Sequence, residues 1–243
     1  MTLEKSKLPF IFLGLLGLAF LMMGVFAATI QAKRVLQEAG TIRSLPELNA
    51  QALENTSPGT TVVITGILET NDEIADVGGL IIYIEEIWRV HYNDSEGSEG
   101  WEGSWNKLNV MVPACNITFN GGNALIQAGQ DVIIDKPLSE YKLNVPREGR
   151  VVDGIKEGSM RRRGFKAGDQ ITVVGSKESS GVIPVRIFGG DRAELEQYLA
   201  YKVSGLRITG TIFGLAGLGL ILVSVVFLIR RSRQIQTELQ SNR

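Results

Sequence analysis

The 243 residues carry 25 basic and 26 acidic side chains, net charge −1, with a mean hydropathy of +0.10. That balance argues against nucleic acid as the main partner. One cysteine, Cys115, and one histidine, His91, rule out an intrachain disulfide and a four-ligand Cys/His zinc site.

Residues 8–30 contain no charged side chain. At 1.5 Å per residue they make a helix of about 34 Å, enough for the ~30 Å hydrocarbon core of a bilayer. The competing reading is a cleaved signal peptide, with Lys5 and Lys7 ahead and the small residues Ala27 and Ala28 behind. Its apolar region is usually about 7–15 residues, shorter than this one. Helical composition also continues over 31–39, so an uncleaved anchor is expected, its helix stopped by Gly40. Residues 42–53 predict a short helix with Ser44 as N-cap and Pro46 and Glu47 in its first turn.

Strand signals follow. Residues 60–68 are rich in β-branched side chains, with Gly66 marking a bulge or bend. Residues 79–92 form the longest strand pattern. Its period of two places Ile82, Ile84 and Glu86 on one face and Tyr83, Glu85, Ile87, Arg89 and His91 on the other. Glu85 and Glu86 are therefore no acid/base pair. Residues 93–104 read as a Gly/Ser/acid hairpin tip, and 105–112 as the return strand. Residues 117–119 and 124–127 flank the turn Asn120-Gly-Gly-Asn123, and 131–135 form a short strand. From 137 to 168 Gly, Pro and charge alternate without period, which predicts a long connection containing Arg161, Arg162 and Arg163. Strands over 170–175 and 182–188 close the sheet region. Asp191 and Glu194 then form a capping box for a helix leading into the second apolar stretch.

That stretch, Ile208 to Ile229, is also free of charge and is followed at once by Arg230, Arg231 and Arg233. The basic residues at both outer ends predict cytoplasmic termini and an extracytoplasmic middle. The expected organisation is a cytoplasmic N-terminus (1–7), a transmembrane helix (8–30), a β-rich domain (31–207), a second transmembrane helix (208–229) and a basic cytoplasmic tail (230–243). Six of the Lys and Arg and two of the Asp and Glu lie outside 31–207, leaving that domain at net −5. The fold class is membrane-anchored α+β: two transmembrane helices flanking a β-rich domain, an OB-like barrel or a small sandwich.

No constellation here reads as catalytic, cofactor-binding or metal-ligating. The glycines Gly214, Gly217 and Gly219 sit inside the second apolar stretch, where they cannot cradle a phosphate. Cys115 reads as a buried small apolar residue and His91 as a strand side chain. Candidate partner contacts are Trp101 and Trp105 at the hairpin, and Arg161, Arg162 and Arg163 toward lipid headgroups or an acidic partner. Gly24 and Ala28 in the first stretch, with Gly210 and Gly214 in the second, place small residues four apart on helix faces. Such faces serve packing of the two spans on one another or a homo-oligomer.

The order of short motifs is familiar. Leu45-Pro-Glu-Leu48, Pro58-Gly-Thr-Thr-Val-Val-Ile-Thr-Gly66 and Tyr83-Ile-Glu-Glu-Ile-Trp88 precede the Trp101 and Trp105 hairpin and Val112-Pro113. Ile117-Thr-Phe-Asn-Gly-Gly122, Asp131-Val-Ile-Ile-Asp135, Ala167-Gly-Asp-Gln-Ile-Thr-Val-Val-Gly175 and an apolar span follow. Over about residues 40–230 the chain resembles the GIDE-type, or "beside a membrane" (BAM), domain family. That domain is best known between the two spans of a mitochondrial RING ubiquitin ligase. The resemblance implies a membrane-flanked domain that engages protein partners beside the bilayer. Residues 235–243 contain no Cys or His, so neither a RING nor ubiquitin ligase activity is expected. The expected function is a membrane-tethered adaptor or sensor. The alternatives are an accessory subunit of a membrane-associated enzyme and a structural oligomer assembled through the spans.

Overall fold

The computed structural model describes residues 8–46, 48–69, 78–94, 100–119 and 121–241, with side chains as far as Arg233. The N-terminal segment 1–7, Glu47, the hairpin residues 95–99, Asn120 of the expected turn and the last two residues lie outside the described residues. The chain divides into two compact units, a helical one (Met1–Thr41 with Glu196–Arg243) and a β-rich one (Ile42–Leu195).

In the helical unit, α1 (Leu8–Val25) runs through a six-residue π turn (Phe26–Gln31) into α2 (Ala32–Ser44). Gly40 does not stop this helix. The helix ends at Ser44, next to Leu45-Pro46, because a residue before proline is driven out of the α region. For the same reason Ser44 cannot cap a helix beginning at Leu45. The short helix α3 (Ala50–Glu54) takes Asn49 as its N-cap instead, whose Oδ1 accepts from the Ala52 amide at 2.8 Å. The last helix, α4 (Arg192–Ser241), starts where expected, with the Glu194 amide donating to Asp191 Oδ1 at 2.8 Å.

α1 and α4 run antiparallel in contact, since Phe10 stacks on Phe227 with centroids 5.0 Å apart and Phe20 lies 5.7 Å from Phe213. Glycine makes the approach close. A Cβ on Gly24 would fall 2.5 Å from the Gly210 carbonyl oxygen, and one on Gly210 would fall 2.6 Å from the Ala28 Cβ. Ser224 Oγ donates to the Phe10 carbonyl at 2.6 Å across the pair. Only 11% of each apolar window is buried inside the protein, whereas the core helix of a soluble domain would be mostly covered.

The β-rich unit contains twelve strands among the described residues. A ring is made by β1 (Thr61–Leu68), β4 (Cys115–Phe119), β5 (Gly122–Ile126), β11 (Gln170–Glu178) and β12 (Gly181–Gly189). Pairing runs β11-β1-β4-β5-β12 and returns from β12 to β11, so the sheet closes on itself like a barrel. The β11–β12 and β4–β5 hairpins are antiparallel, while β5 meets β12 in parallel at Ile126 and Val182. Alternation fills the interior: Cys115, Ile117 and Phe119 of β4 are buried and the residues between them exposed. Ile64, Leu68, Ile126, Phe165, Ile171, Val173, Val182 and Ile187 belong to the same core. The short strand β6 (Ile133–Asp135) pairs in parallel with β12, and the Asp135 carboxylate forms an ion pair with Arg186.

Two insertions build a second sheet. The hairpin of β2 (Leu80–Asn93) and β3 (Gly100–Met111) leaves the ring between β1 and β4. Strands β7 (Ser139–Asn144), β8 (Val151–Val152), β9 (Ile155–Lys156) and β10 (Met160–Lys166) lie between β6 and β11. The four-stranded order is β3-β2-β10-β7, all antiparallel. The expected long connection over 137–168 is thus wrong. It contains four strands, and the arginine cluster is part of β10. A strand whose polar side chains are neutralised by its neighbours shows no hydrophobic alternation in the sequence.

Candidate functional site

The face of the second sheet that carries Glu86 is built by register. Arg161 lies opposite Glu86, and Trp105 lies opposite Trp88. Glu86 is 7% exposed and sits among three cation contacts. Arg161 Nε donates to its Oε2 at 2.7 Å; Arg163 Nε reaches the same oxygen at 2.9 Å, and Arg163 Nη2 reaches Oε1 at 2.8 Å. Burial alone would raise the Glu86 pKa, but the hydrogen bonds from Arg163 and Arg161 outweigh it, and the carboxyl lies below its ordinary value. The hydrogen bond to Glu86 in turn raises Arg163, against the effect of burial. Arg161 also donates to Glu140 at 3.1 Å and spreads over the Trp105 ring, 4.1 Å from its centroid. Trp105 meets Trp88 edge-on at 5.3 Å, and the Trp88 indole lies over Gly103.

On the opposite face Arg162 donates to Glu85 at 2.8 Å and lies over the Tyr83 ring at 4.6 Å. Glu85 and Glu86 do serve opposite faces, each bound to arginine. Burial, followed by the Glu85 charge, raises the Tyr83 pKa.

Toward the far end of the hairpin Trp101 is 43% exposed. Tyr92 packs edge-on against it at 5.2 Å, and Arg150 lies over its ring at 3.5 Å. Trp101 and Trp105 are therefore strand residues of β3, not residues of a loose tip. The structure brings Trp105, Arg161 and Arg163 together through Glu86, sends Arg162 to the other face, and gives Trp101 its own aromatic and cationic supports. Sequence reasoning missed Glu86, Trp88, Tyr92 and Arg150. One signal was available: a Glu sharing the face of Ile82 and Ile84 requires a buried cation.

Cys115 lies in the barrel core, and burial pushes its thiol up to about 12, which removes it as a thiolate nucleophile at neutral pH. His91 is an exposed strand residue 3.6 Å from Glu102. Among the described residues no three His, Cys, Asp or Glu side chains converge as metal ligands.

The chain is an α+β protein with a β-barrel-like sheet and two long apolar helices, one near each end. No protein-family profile, curated protein or solved structure matches it.

Proposed function

We propose that this chain is a two-pass membrane protein of the GIDE (BAM) kind, with an OB-like barrel, that acts as an adaptor or sensor. Its termini are cytoplasmic, its β-rich domain is extracytoplasmic, and the domain binds a protein partner beside the bilayer. The sparse burial of both apolar helices and the Arg230-Arg231-Ser-Arg233 stop support the spans. The contact of Gly24 with Gly210 supports pairing of the spans within one chain rather than an oligomer built on that face.

The observation that carries the partner reading is Trp101. It is an exposed aromatic already fixed between Tyr92 and Arg150, so little side-chain entropy is lost when a partner covers it. The test is crosslinking in native membranes with Trp101→Ala against wild type. Trp105→Ala is a poorer variant, because Trp105 packs on Trp88 within the sheet. Loss of the crosslinked species with an unchanged melting curve supports the reading; an unchanged pattern of partners overturns it.

A further inference from the structure

A cleft of about 170 Å³ opens beside Trp105, between β10, the end of β7 and the β8–β9 hairpin. The β8–β9 hairpin turns at Asp153-Gly154, both residues at positive φ (52° and 75°), and contributes Gly154, Ile155 and Lys156 to the lining. That lining holds three cations, Lys142, Lys156 and Arg161, and one carboxylate, Glu140. Glu140 is committed to Arg161 at 3.1 Å, and Arg161 also to Glu86.

The two lysines are different. Lys156 is half-buried and donates to the Arg147 carbonyl at 2.9 Å, and neither it nor Lys142 has a carboxylate partner among the described residues. Ser159 lines the same cleft and is 5% exposed. Its backbone is bound to Lys156 and Trp88, while its hydroxyl has no hydrogen bond among the described residues. Val145, Ile155 and the Trp105 ring supply apolar wall. A hydroxyl that water reaches but no described side chain or carbonyl binds, beside the exposed Lys142 and half-buried Lys156 with no carboxylate partner among the described residues, is complementary to an anion, and the apolar wall to a short carbon chain attached to it.

We propose that this cleft binds a small organic anion, a phosphate or carboxylate joined to an apolar group, through Lys142, Lys156 and Ser159. The same chemistry is presented by a free metabolite and by a lipid headgroup. The site does not depend on the adaptor reading.

The test uses the full chain in phosphatidylcholine nanodiscs, titrated calorimetrically with butyl phosphate, hexanoate and butanol. Butyl phosphate or hexanoate should bind and butanol should not, and Lys142→Glu/Lys156→Glu should weaken binding at least tenfold. Lys142→Gln/Lys156→Gln is the milder pair should charge reversal unfold the domain. Failure of both anions to bind, or binding that neither double variant weakens, overturns the proposal. Nanodiscs containing phosphatidic acid separate the sources: competition with butyl phosphate assigns the site to a headgroup, and its absence to a soluble anion.

Discussion

Arg161 lies over Trp105, its guanidinium carbon 4.1 Å from the ring centroid, while its Nε donates to Glu86 at 2.7 Å. One side chain thus joins the aromatic pair Trp88–Trp105 of the β2–β3 hairpin to the ionic pairing of β10. Lysine cannot do both, because an ammonium has neither the planar face for stacking nor the fork for two carboxylates. Arg161→Lys should lower the domain's stability by about 1–2 kcal/mol. Urea unfolding followed by tryptophan fluorescence measures this, and a change within error would show that the stack contributes nothing.

Glu86 makes a second, pH-dependent prediction. Its folded pKa lies below the ordinary carboxylate value, so its stabilising contribution is complete above the unfolded pKa and disappears as pH falls through the folded one. Stability should therefore decline in the acid range below about pH 4. Glu86→Gln should remove that part of the decline and cost about 3 kcal/mol at neutral pH, since Arg161 and Arg163 would keep their charge without its partner. Thermal melts of wild type and variant from pH 3 to pH 7 check both statements.

The same residues mark where the sequence stops being legible. The apolar helices, the Asp191 cap, β1, β4 with β5, and β11 with β12 all carry local signals: absence of charge, a capping oxygen, β-branched runs or a Gly-Gly turn. Strand β10 carries none. Met160 to Lys166 presents three arginines in a row, and its partners Glu85, Glu86 and Glu140 come from β2 and β7. Pairing between residues so far apart in the chain is a property of register, which no window along the chain contains. For the same reason Trp101, Trp105 and Arg161 are recognisable as candidate contacts, but the placing of Arg150 over Trp101 and of Arg161 over Trp105 is not.

Cys115 provides a probe of barrel opening. With its thiol pushed up to about 12, alkylation by iodoacetamide at pH 8 should be slow and should track unfolding. The raised folded pKa also means that stability is undiminished below the unfolded thiol pKa, about 8.5, and falls as pH rises above it. Alkylation at the rate of a free thiol in native conditions would contradict its burial. Cys115→Ser should destabilise by about 1–3 kcal/mol by placing a hydroxyl among Ile117, Phe119 and the rest of the core.

The helical unit separates two glycines that look equivalent in sequence. Gly24 has no room: a Cβ there meets the Gly210 carbonyl oxygen and the Gly214 nitrogen, both at 2.5 Å. Gly214 itself faces open space, with nothing within 4 Å of its Cβ position, although its backbone is what Gly24 rests upon. Gly24→Leu should therefore force the two helices apart, with loss of the Ser224 to Phe10 hydrogen bond and the Phe10–Phe227 stack. Overpacking of this kind costs about 1–3 kcal/mol. Gly214→Ala should leave the pair intact. Fluorescence transfer between labels at the exposed ends Leu8 and Ile229 reads the separation in reconstituted bilayers. A fall in transfer for Gly24→Leu alone is the expected result. Equal effects of the two variants would place Gly214 in an interface outside this chain, and no effect of either would dissolve the intrachain pair.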